Sequence, residues 1–296
     1  MPGRTDLACE AAQLYRKSVG ELTELNGVIS ARETVRGFAV EEVEITTEDG
    51  AGRLGKPIGR YVTVEMPRLP RRGDEAFAAG AATVAEFVGK LLHLRDGDSV
   101  LVAGLGNDGI TADAVGPLTV KSTLVTRHLK ARGALFPGLR RSVSAVEAGV
   151  SGNTGVESAE LISAVVEKTR PDRVVAVDAL ASLSVGRICR TVQLSDTGIV
   201  PGSGVGNARK ELSRRTLGVP VLAVGVPTVV DAVALAEELS GTTVDEKKLK
   251  ILGDGMIVTP REIDRQVRDI SRLIGYGLDL AFHPTLTVEE ITMLLE

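Results

Sequence analysis

Apolar runs alternate with amphipathic stretches along the C-terminal two thirds of the chain. Four of these runs are apolar at nearly every position: SVLVAGLG, RVVAVDAL, TVQLS and PVLAVGVP. Continuous runs of this kind are typical of strands that are covered on both faces of a sheet. Helical patterns lie between or after them, over Gly155–Lys168, over Val229–Ser240 with Thr228 as the cap, and over 260–284. The alternation predicts an α/β fold of the phosphorylase/hydrolase-like type, with a mostly parallel central sheet flanked by helices.

The N-terminal third carries a different pattern. The stretch DLACEAAQLYRKS predicts a helix over Asp6–Ser18. After it, apolar and polar residues alternate over Val40–Thr47 and Tyr61–Met66, on either side of a glycine-rich connection. A period of two indicates half-buried strands, so we expect a small antiparallel β element within residues 36–67. We expect the whole chain, 1–296, to form a single domain.

Composition and charge narrow the possible partners. The chain is 43% hydrophobic and 25% charged, with a net charge of −4, which is the balance of a soluble globular protein without a general attraction for nucleic acid or membrane surfaces. No apolar run approaches the roughly 20 residues that span a bilayer, and the N-terminus has no apolar signal region. Its two cysteines, Cys9 and Cys189, form no C-x-x-C pair. We therefore expect a cytoplasmic protein with reduced thiols.

The first apolar run ends in a glycine cluster, LVAGLGNDGITADAVGP, in which Gly104, Gly106 and Gly109 fit the pattern G-x-G-x-x-G. A dinucleotide site also requires an acidic residue about 20 positions further on. No Asp or Glu occurs between Asp113 and Glu147, so the nucleotide interpretation is weak. A non-enzymatic nucleotide-binding or assembly protein stays open as one alternative.

Aspartates follow two of the buried runs. Asp108 and Asp113 come after the first run, and Asp178 lies near the end of the second. The carboxyl ends of such strands are where α/β sheets bind ligands. Two carboxylates brought close together there would share a proton, and could then act on water as base and on a leaving nitrogen as acid. This chemistry needs no histidine and suits a chain with only three. The alternative is that an aspartate at this position only caps the next helix.

Longer motifs extend over nearly the whole chain. They are RTDLACEA, GKPIGRYVTVEMP, VAGLGNDGITADAVGP, VEAGVSGNTGVESAE, PDRVVAVDALASLS, QLSDTGIVPGSGVGNARKELS, LGVPVLAVGVPTVVDA and PREIDRQVRDISRLIGYGLDLAFHP. With them the chain resembles the germination proteases of endospore-forming bacteria. The resemblance implies an atypical aspartic endopeptidase that degrades small acid-soluble spore proteins in the cytoplasm of the forespore and in the spore core. It also implies that Asp113 and Asp178 are the catalytic pair, that no cofactor is needed, and that the protein is a homotetramer.

The resemblance also implies a zymogen that trims its own N-terminus during sporulation. Substrates of the family are cut after an acid in a context like E-[FIL]-A-x-E, and TDLACE at Thr5–Glu10 is similar. Self-cleavage is therefore expected between Asp6 and Leu7, with 1–6 as a short propeptide. The alternative is that Arg4–Glu10 is simply the start of a helix with Thr5 as its cap.

Further residues are candidates for the rim of the site: Asp108, Asp196, Glu147 and, more weakly, Glu157. Asp196 belongs to an Asp-Thr-Gly tripeptide, but pepsin-like enzymes need two copies on an all-β fold. The loop Gly198–Gly206 either closes over substrate or is a tight connection that needs positive φ. The glycine cluster after the first run also resembles that of the hydrogenase-maturation endopeptidases, in which acids and a histidine hold nickel. A metal-dependent endopeptidase therefore stays open as another alternative, although no histidine occupies the corresponding loop here.

Overall fold

A computed structural model describes residues 5–19, 26–131, 138–203, 209–242 and 256–296. The strands within these ranges are β1 (Val28–Val35), β2 (Phe38–Ile45), β3 (Gly59–Glu65), β4 (Ser99–Leu105), β5 (Ser142–Gly149), β6 (Arg173–Ser182), β7 (Thr191–Ser195), β8 (Val221–Asp231) and β9 (Ile257–Val258). The helices are α1 (Ala8–Val19), α2 (Glu48–Leu54), α3 (Glu75–Leu92), α4 (Val115–Lys121), α5 (Arg127–Ala131), α6 (Ser151–Thr154), α7 (Ser158–Thr169), α8 (Arg214–Leu217), α9 (Ala232–Ser240), α10 (Ile263–Phe282) and α11 (Val288–Leu295). Two 3₁₀ turns cover Thr111–Asp113 and Val185–Arg187.

The strands form one sheet in the order β1-β2-β3-β7-β8-β6-β4-β5, and β9 pairs with the end of β8. Strands β5, β4, β6 and β8 run parallel to one another. Strands β1, β2, β3 and β7 are joined by antiparallel pairings, and β7 meets β8 antiparallel. The predicted α/β class is confirmed, but the sheet is mixed and only its second half is parallel.

The run TVQLS, expected as another buried strand of the parallel sheet, is the antiparallel β7. Its connection to β6 covers only residues 183–190 and contains a single 3₁₀ turn. A parallel crossover needs a dozen or more residues, so the chain returns in the opposite direction. Strand β7 thereby joins the N-terminal strands to the parallel strands, because it pairs with β3 on one side and β8 on the other.

The predicted antiparallel element near the N-terminus is confirmed as β2 and β3. A further strand, β1, extends it and was not expected from the sequence. Most positions of β1 are exposed or only partly buried, because it is the last strand of the sheet. An edge strand with polar residues on both faces has no apolar alternation to reveal it.

Alternate residues of the central strands belong to two separate cores. Val100 and Val102 of β4 pack into the larger core, together with α3, α4 and α10. Leu101 and Ala103 pack into a smaller core on the opposite face, together with Ile162 of α7. Helices therefore cover both faces, which explains why these runs are apolar at nearly every position. No helix within the described ranges combines the length and the apolar character needed to cross a membrane.

The expected helix Val229–Ser240 with Thr228 as its cap is wrong at its start. Strand β8 continues to Asp231, and α9 begins at Ala232. The Asp231 carboxylate caps the helix by accepting hydrogen bonds from the backbone N–H groups of residues 233 and 234. The consecutive β-branched residues before Asp231 favour the strand, and aspartate is a better cap than a residue held within a sheet.

Helix α4 lies directly against the sheet, which makes Gly116 a sensitive position. A Cβ atom on Gly116 would lie 2.2 Å from the Leu105 carbonyl oxygen and 2.6 Å from that of Val177. We expect Gly116→Ala to lower the free energy of unfolding by about 1–3 kcal/mol, measured by urea denaturation. Gly89→Ala in α3 is the matched control, since nothing lies within 4 Å of its Cβ position, and it should be stabilising by about 0.5–1 kcal/mol. Equal stability of the two variants would contradict this packing.

Candidate active site

Asp178 lies in the interior of the sheet, near the carboxyl end of β6, and its residue is only 5% exposed. Its Oδ1 accepts a hydrogen bond of 2.9 Å from the backbone N–H of Ala179. Burial raises the pKa of Asp178 well above the usual carboxyl value, and the charge of Asp113 raises it further. A carboxyl group in such surroundings is held in its protonated form more readily than an ordinary aspartate.

Asp113 ends the 3₁₀ turn that follows β4, and it is half-buried. The glycine cluster folds back over it, because the Asn107 N–H donates to Asp113 Oδ2 at 2.8 Å and to the Asp113 carbonyl oxygen at 3.1 Å. Gly106 has φ of +99°, and a Cβ there would lie 2.1 Å from that carbonyl oxygen. The packing around Asp113 therefore accounts for the requirement for glycine at position 106.

The two carboxyl groups sit in unlike surroundings. Burial also raises the pKa of Asp113, but the Asn107 N–H and the positive charge of Arg209 oppose the rise. Asp178 is more deeply buried, and its pKa is raised more strongly. The 3₁₀ turn that bears Asp113 contacts β6, which bears Asp178, so the two carboxyls that the sequence predicts at one edge are brought to the same part of the sheet. Pairs of this kind can supply an acid and a base together.

Arg209 is a site residue that sequence reasoning missed. Its charge lowers the pKa of both aspartates. The guanidinium donates to the Ser151 hydroxyl and lies 3.6 Å from a carboxylate oxygen of Glu157, one of the weaker rim candidates. Arg209 follows a glycine-rich loop, and an arginine in such a loop was the only local signal that could have drawn attention to it.

Asp178 shares one row of the sheet with Gly225 of β8 and Gln193 of β7. Residues paired across strands project from the same face, so Asp178 and Gln193 point the same way from strands about 10 Å apart. The intervening glycine leaves space that the Leu180 side chain enters. A cavity of about 530 Å³ opens on this side, and Gly225, Gln193 and Leu180 are among its lining residues.

Thr5 and Asp6 line this cavity, and the N-terminal segment Thr5–Glu10 runs along the end of β6. Asp6 pairs with Ala181 twice: its N–H donates to the Ala181 carbonyl at 3.2 Å, and its Oδ2 accepts from the Ala181 N–H at 2.9 Å. Leu7 is fully buried against Leu180. Helix α1 starts at Ala8, so both residues of the predicted cleavage site precede it. The Leu7 N–H donates to the Thr5 hydroxyl at 3.0 Å, and the Leu7 carbonyl oxygen accepts from the Ala11 N–H at the start of the helix. The negative charge of Asp6 also contributes to the raised pKa of Asp178.

Glu10 anchors the other end of this segment. It is 4% exposed, and its carboxylate accepts from the backbone N–H groups of Leu183, at 2.9 Å, and Ser184, at 3.3 Å. The Arg187 guanidinium lies 3.5 Å from the same carboxylate, and the Thr5 hydroxyl also donates to it. The turn after β6 is therefore built to hold a carboxylate four residues beyond Asp6.

Three of the four rim candidates have other neighbours. Asp108 and Glu147 are exposed and lie 3.4 and 3.6 Å from the ammonium group of Lys121. The Asp196 carboxylate accepts from the Arg60 N–H at 2.8 Å and lies 3.4 Å from the Arg60 guanidinium. Asp196 therefore joins the loop after β7 to β3, while its neighbours Ser195 and Thr197 line the cavity.

The loop Gly198–Gly206 is described only up to residue 203. Gly198 has φ of +82°, and a Cβ there would lie 2.1 Å from the Leu212 carbonyl oxygen, so at this position the connection needs glycine. Ser203 donates to Asp6 Oδ1 at 2.8 Å, which brings the loop into contact with the N-terminal segment. Residues 204–206 lie outside the described ranges.

A metal centre would need several ligands in one place. In the described part of the chain no group of three or more His, Cys, Asp or Glu side chains is arranged to hold an ion. His283 is buried and accepts from the Arg140 N–H, and His128 is exposed on α5. The third histidine, His93, lies 3.4 Å from the Arg60 guanidinium. Both cysteines are buried, and burial raises the pKa of Cys9 to about 11 and of Cys189 to about 12.

Comparison with known proteins places these features in a family. A family model described as Germination protease matches residues 8–245. The germination protease of Caldanaerobacter subterraneus subsp. tengcongensis is 40% identical over 99% of this chain and 98% of its own. That of Clostridium perfringens is 38% identical over 99% and 98%, and that of Bacillus cytotoxicus is 36% identical over 95% and 93%. Among solved structures, the hydrogenase maturation protease HycI from Thermococcus kodakarensis aligns with 61% of this chain and 92% of its own, at 21% identity and a TM-score of 0.34.

The fold, the acidic edge of the sheet and these matches define the class: the protein is a protease, a hydrolase of peptide bonds. The chain belongs to the germination protease family, which its sequence motifs had predicted.

The raised pKa of Asp178 predicts how stability depends on pH. A carboxyl whose pKa is raised on folding contributes stability that is fully present below its unfolded pKa and is lost as pH rises through the folded value. Asp178→Asn keeps the acceptor for Ala179 but has no charge to bury. We expect it to be more stable than the parent at pH 7, by about 1.4 kcal/mol for each unit of the shift, and no more stable below pH ~4. Thermal unfolding across this pH range measures the difference.

The control is Asp172→Asn, at the opposite end of β6. Hydrogen bonds from the Ser99 backbone N–H and hydroxyl lower the pKa of Asp172, so its contribution to stability has the opposite sign. Asp172→Asn should be no more stable than the parent at pH 7. A gain in stability for Asp178→Asn that persists unchanged at low pH would contradict the assignment.

Proposed function

We propose that this chain is an endopeptidase that hydrolyses small acid-soluble spore proteins during spore germination, and that Asp113 and Asp178 activate the attacking water. The observation that carries the proposal is the contact between β6, which bears Asp178, and the 3₁₀ turn that bears Asp113. The two carboxyls have unlike surroundings, and they lie beside a cavity that is lined in part by the N-terminal segment. The spore-protein substrate rests on membership of the germination protease family. The same membership supports action in the cytoplasm of the forespore and in the spore core, a homotetramer, and catalysis without a cofactor.

The surroundings of the two aspartates assign their roles in this proposal. Asp178 is the more deeply buried carboxyl and carries the shared proton, while Asp113 is ionised beside the Asn107 N–H and the charge of Arg209. Asp113 accepts a proton from water as the water oxygen bonds to the scissile carbonyl carbon. When the C–N bond breaks, Asp178 donates its proton to the leaving nitrogen. The products are a carboxylic acid and an amine, and the proton taken up by Asp113 restores the shared state for the next cycle.

We propose further that the chain is made as a zymogen and cuts itself between Asp6 and Leu7. Three contacts support this: Asp6 pairs with the end of β6, Leu7 fills an apolar position against Leu180, and Glu10 is bound by the turn after β6. Acid, aliphatic residue and glutamate occur at the spacing of the family's substrates. The helix-start alternative is compatible with this, because α1 begins only at Ala8.

Asparagine at either catalytic position tests the mechanism. We expect Asp113→Asn and Asp178→Asn to lower the rate of cleavage of a purified small acid-soluble spore protein by roughly 10²- to 10⁴-fold, followed by gel electrophoresis. Asp172→Asn, just before the opposite end of the same strand, should keep full activity. Full activity in either catalytic variant removes that residue from the mechanism. Loss of parental activity on dialysis against a chelator, with recovery on adding back a metal, would favour the metal-dependent alternative.

Glutamate at position 10 tests self-processing. We expect the matured protein to begin at Leu7 by N-terminal sequencing. We expect Glu10→Gln to slow this maturation about tenfold, because bonds to a charged acceptor contribute roughly 1.5–3 kcal/mol. Glu289→Gln, on exposed α11, is the control and should mature at the parental rate. A mature chain that starts at Met1 or Pro2 would contradict the cleavage site.

A further inference from the structure

Lys56 makes an unusual set of contacts at the edge of the cavity. It follows Gly55, the left-handed residue that ends α2. Its Nζ donates to two consecutive carbonyl oxygens, those of Asp6 at 2.9 Å and Thr5 at 3.2 Å. Burial lowers the pKa of Lys56, and nearby carboxylates partly offset this. Within the described ranges no carboxylate oxygen lies at ion-pair distance from it. Lys56 is half-buried, and an ammonium group that donates its hydrogen bonds to peptide carbonyl oxygens is placed to stabilise negative charge on one of them.

Gln193 contacts the same peptide from the sheet. Its Nε2 donates to the Asp6 carbonyl oxygen at 3.0 Å, and its Oε1 accepts from the Ala8 N–H at 2.7 Å. One side-chain amide therefore spans the Asp6–Leu7 bond and binds a main-chain group on either side. Gln193 projects from the same sheet row and the same face as Asp178, with Gly225 between them.

We infer that Lys56 and Gln193 form the oxyanion-binding site of this protease, an inference that rests on the proposed cleavage at Asp6–Leu7. The two donors lie 2.9 and 3.0 Å from the Asp6 carbonyl oxygen, within the range at which donors stabilise a developing oxyanion. As water bonds to the carbonyl carbon, the C=O π electrons move to this oxygen. The N–H groups of Lys56 and Gln193 stabilise the resulting negative charge by hydrogen bonding. When those electrons re-form the carbonyl, the C–N bond breaks and the Leu7 nitrogen takes its proton from Asp178.

Lys56 and Gln193 contact main-chain groups of the peptide and do not select for its side chains. Lys56 and Gln193 bind carbonyl oxygens and one N–H group, which every peptide offers. The same donors would therefore serve a substrate protein once Thr5 and Asp6 no longer occupy them. Selectivity then belongs to other contacts, chiefly the carboxylate-binding turn around Glu10 and the apolar position of Leu7.

Lysine to methionine removes the charge while keeping a similar length, and it tests the inference. The substrate is a synthetic peptide of residues 1–16 of this chain, cut by the matured enzyme. We expect Lys56→Met to lower kcat roughly 10²- to 10³-fold, with KM changed by less than about threefold, because the contact strengthens only in the transition state. Gln193→Met should lower kcat in the same direction. Lys90→Met, on the surface of α3, is the matched control and should keep both constants.

A restored ammonium separates catalysis from misfolding. Lys56→Cys treated with 2-bromoethylamine forms a C–S bond with loss of bromide and carries an amine at nearly the position of Nζ. We expect kcat to recover at least tenfold over the same variant treated with iodoacetamide. The parent treated in the same two ways controls for Cys9 and Cys189.

The outcomes distinguish this inference from the proposed function. A parent enzyme that does not cut the peptide between Asp6 and Leu7 would overturn the cleavage site and the inference together. A parent that cuts there, with Lys56→Met raising KM at unchanged kcat, would overturn the inference alone and reduce Lys56 to a tether for the segment. An unchanged kcat in Lys56→Met would likewise overturn the inference and leave the proposed cleavage site standing.

Discussion

The burial of one carboxyl group, that of Asp178, is the constraint on which the arrangement of this edge depends. Within the described ranges its Oδ1 accepts one hydrogen bond, of 2.9 Å, from the N–H of the next residue, which is too little to compensate an ionised group away from water. Protonation relieves the cost, and the nearby charge of Asp113 favours the same outcome. The burial that makes an ionised Asp178 unfavourable for stability is also what suits this carboxyl to the proposed role of proton donor. In that proposal, stability and chemistry are opposed at this position.

Glycines allow the backbone segments around Asp113 and Asp178 to pack closely against one another. At Gly106 the chain after β4 folds onto Asp113, and at Gly116 helix α4 comes against the carbonyl groups of β4 and β6. At Gly225 the missing side chain leaves room beside Asp178 for Leu180, and through it for Leu7. In each case a single Cβ atom would collide with backbone or with a core side chain. The glycine cluster that looks like a phosphate-binding loop is explained by contacts within the protein.

The N-terminal segment is held differently on the two sides of the bond between Asp6 and Leu7. Beyond the bond, Leu7 belongs to a core cluster, Glu10 is bound by the turn after β6, and helix α1 packs over β2. Before the bond, Asp6 is held by polar contacts with the end of β6, Lys56, Gln193 and Ser203. Cutting this bond would leave the buried part in place, while the contacts described for Asp6 are hydrogen bonds that water can replace.

The local sequence pattern by itself determined which segments form the buried strands of this protein. The apolar runs identify the buried strands because their residues alternate between two cores and must be apolar on both faces, and the positions of Asp113 and Asp178 after such runs follow from that. The sequence motifs were sufficient to predict membership of the germination protease family. The tertiary structure decided what depends on pairing over long separations: the antiparallel direction of β7, the edge strand β1, and the extension of β8 past Thr228. It also brought Lys56 and Gln193 to the Asp6 carbonyl oxygen and Arg209 to a position where its charge acts on Asp113 and Asp178. The motifs around these three residues do not assign them these contacts, because the contacts arise from strands and loops that meet only in the folded sheet.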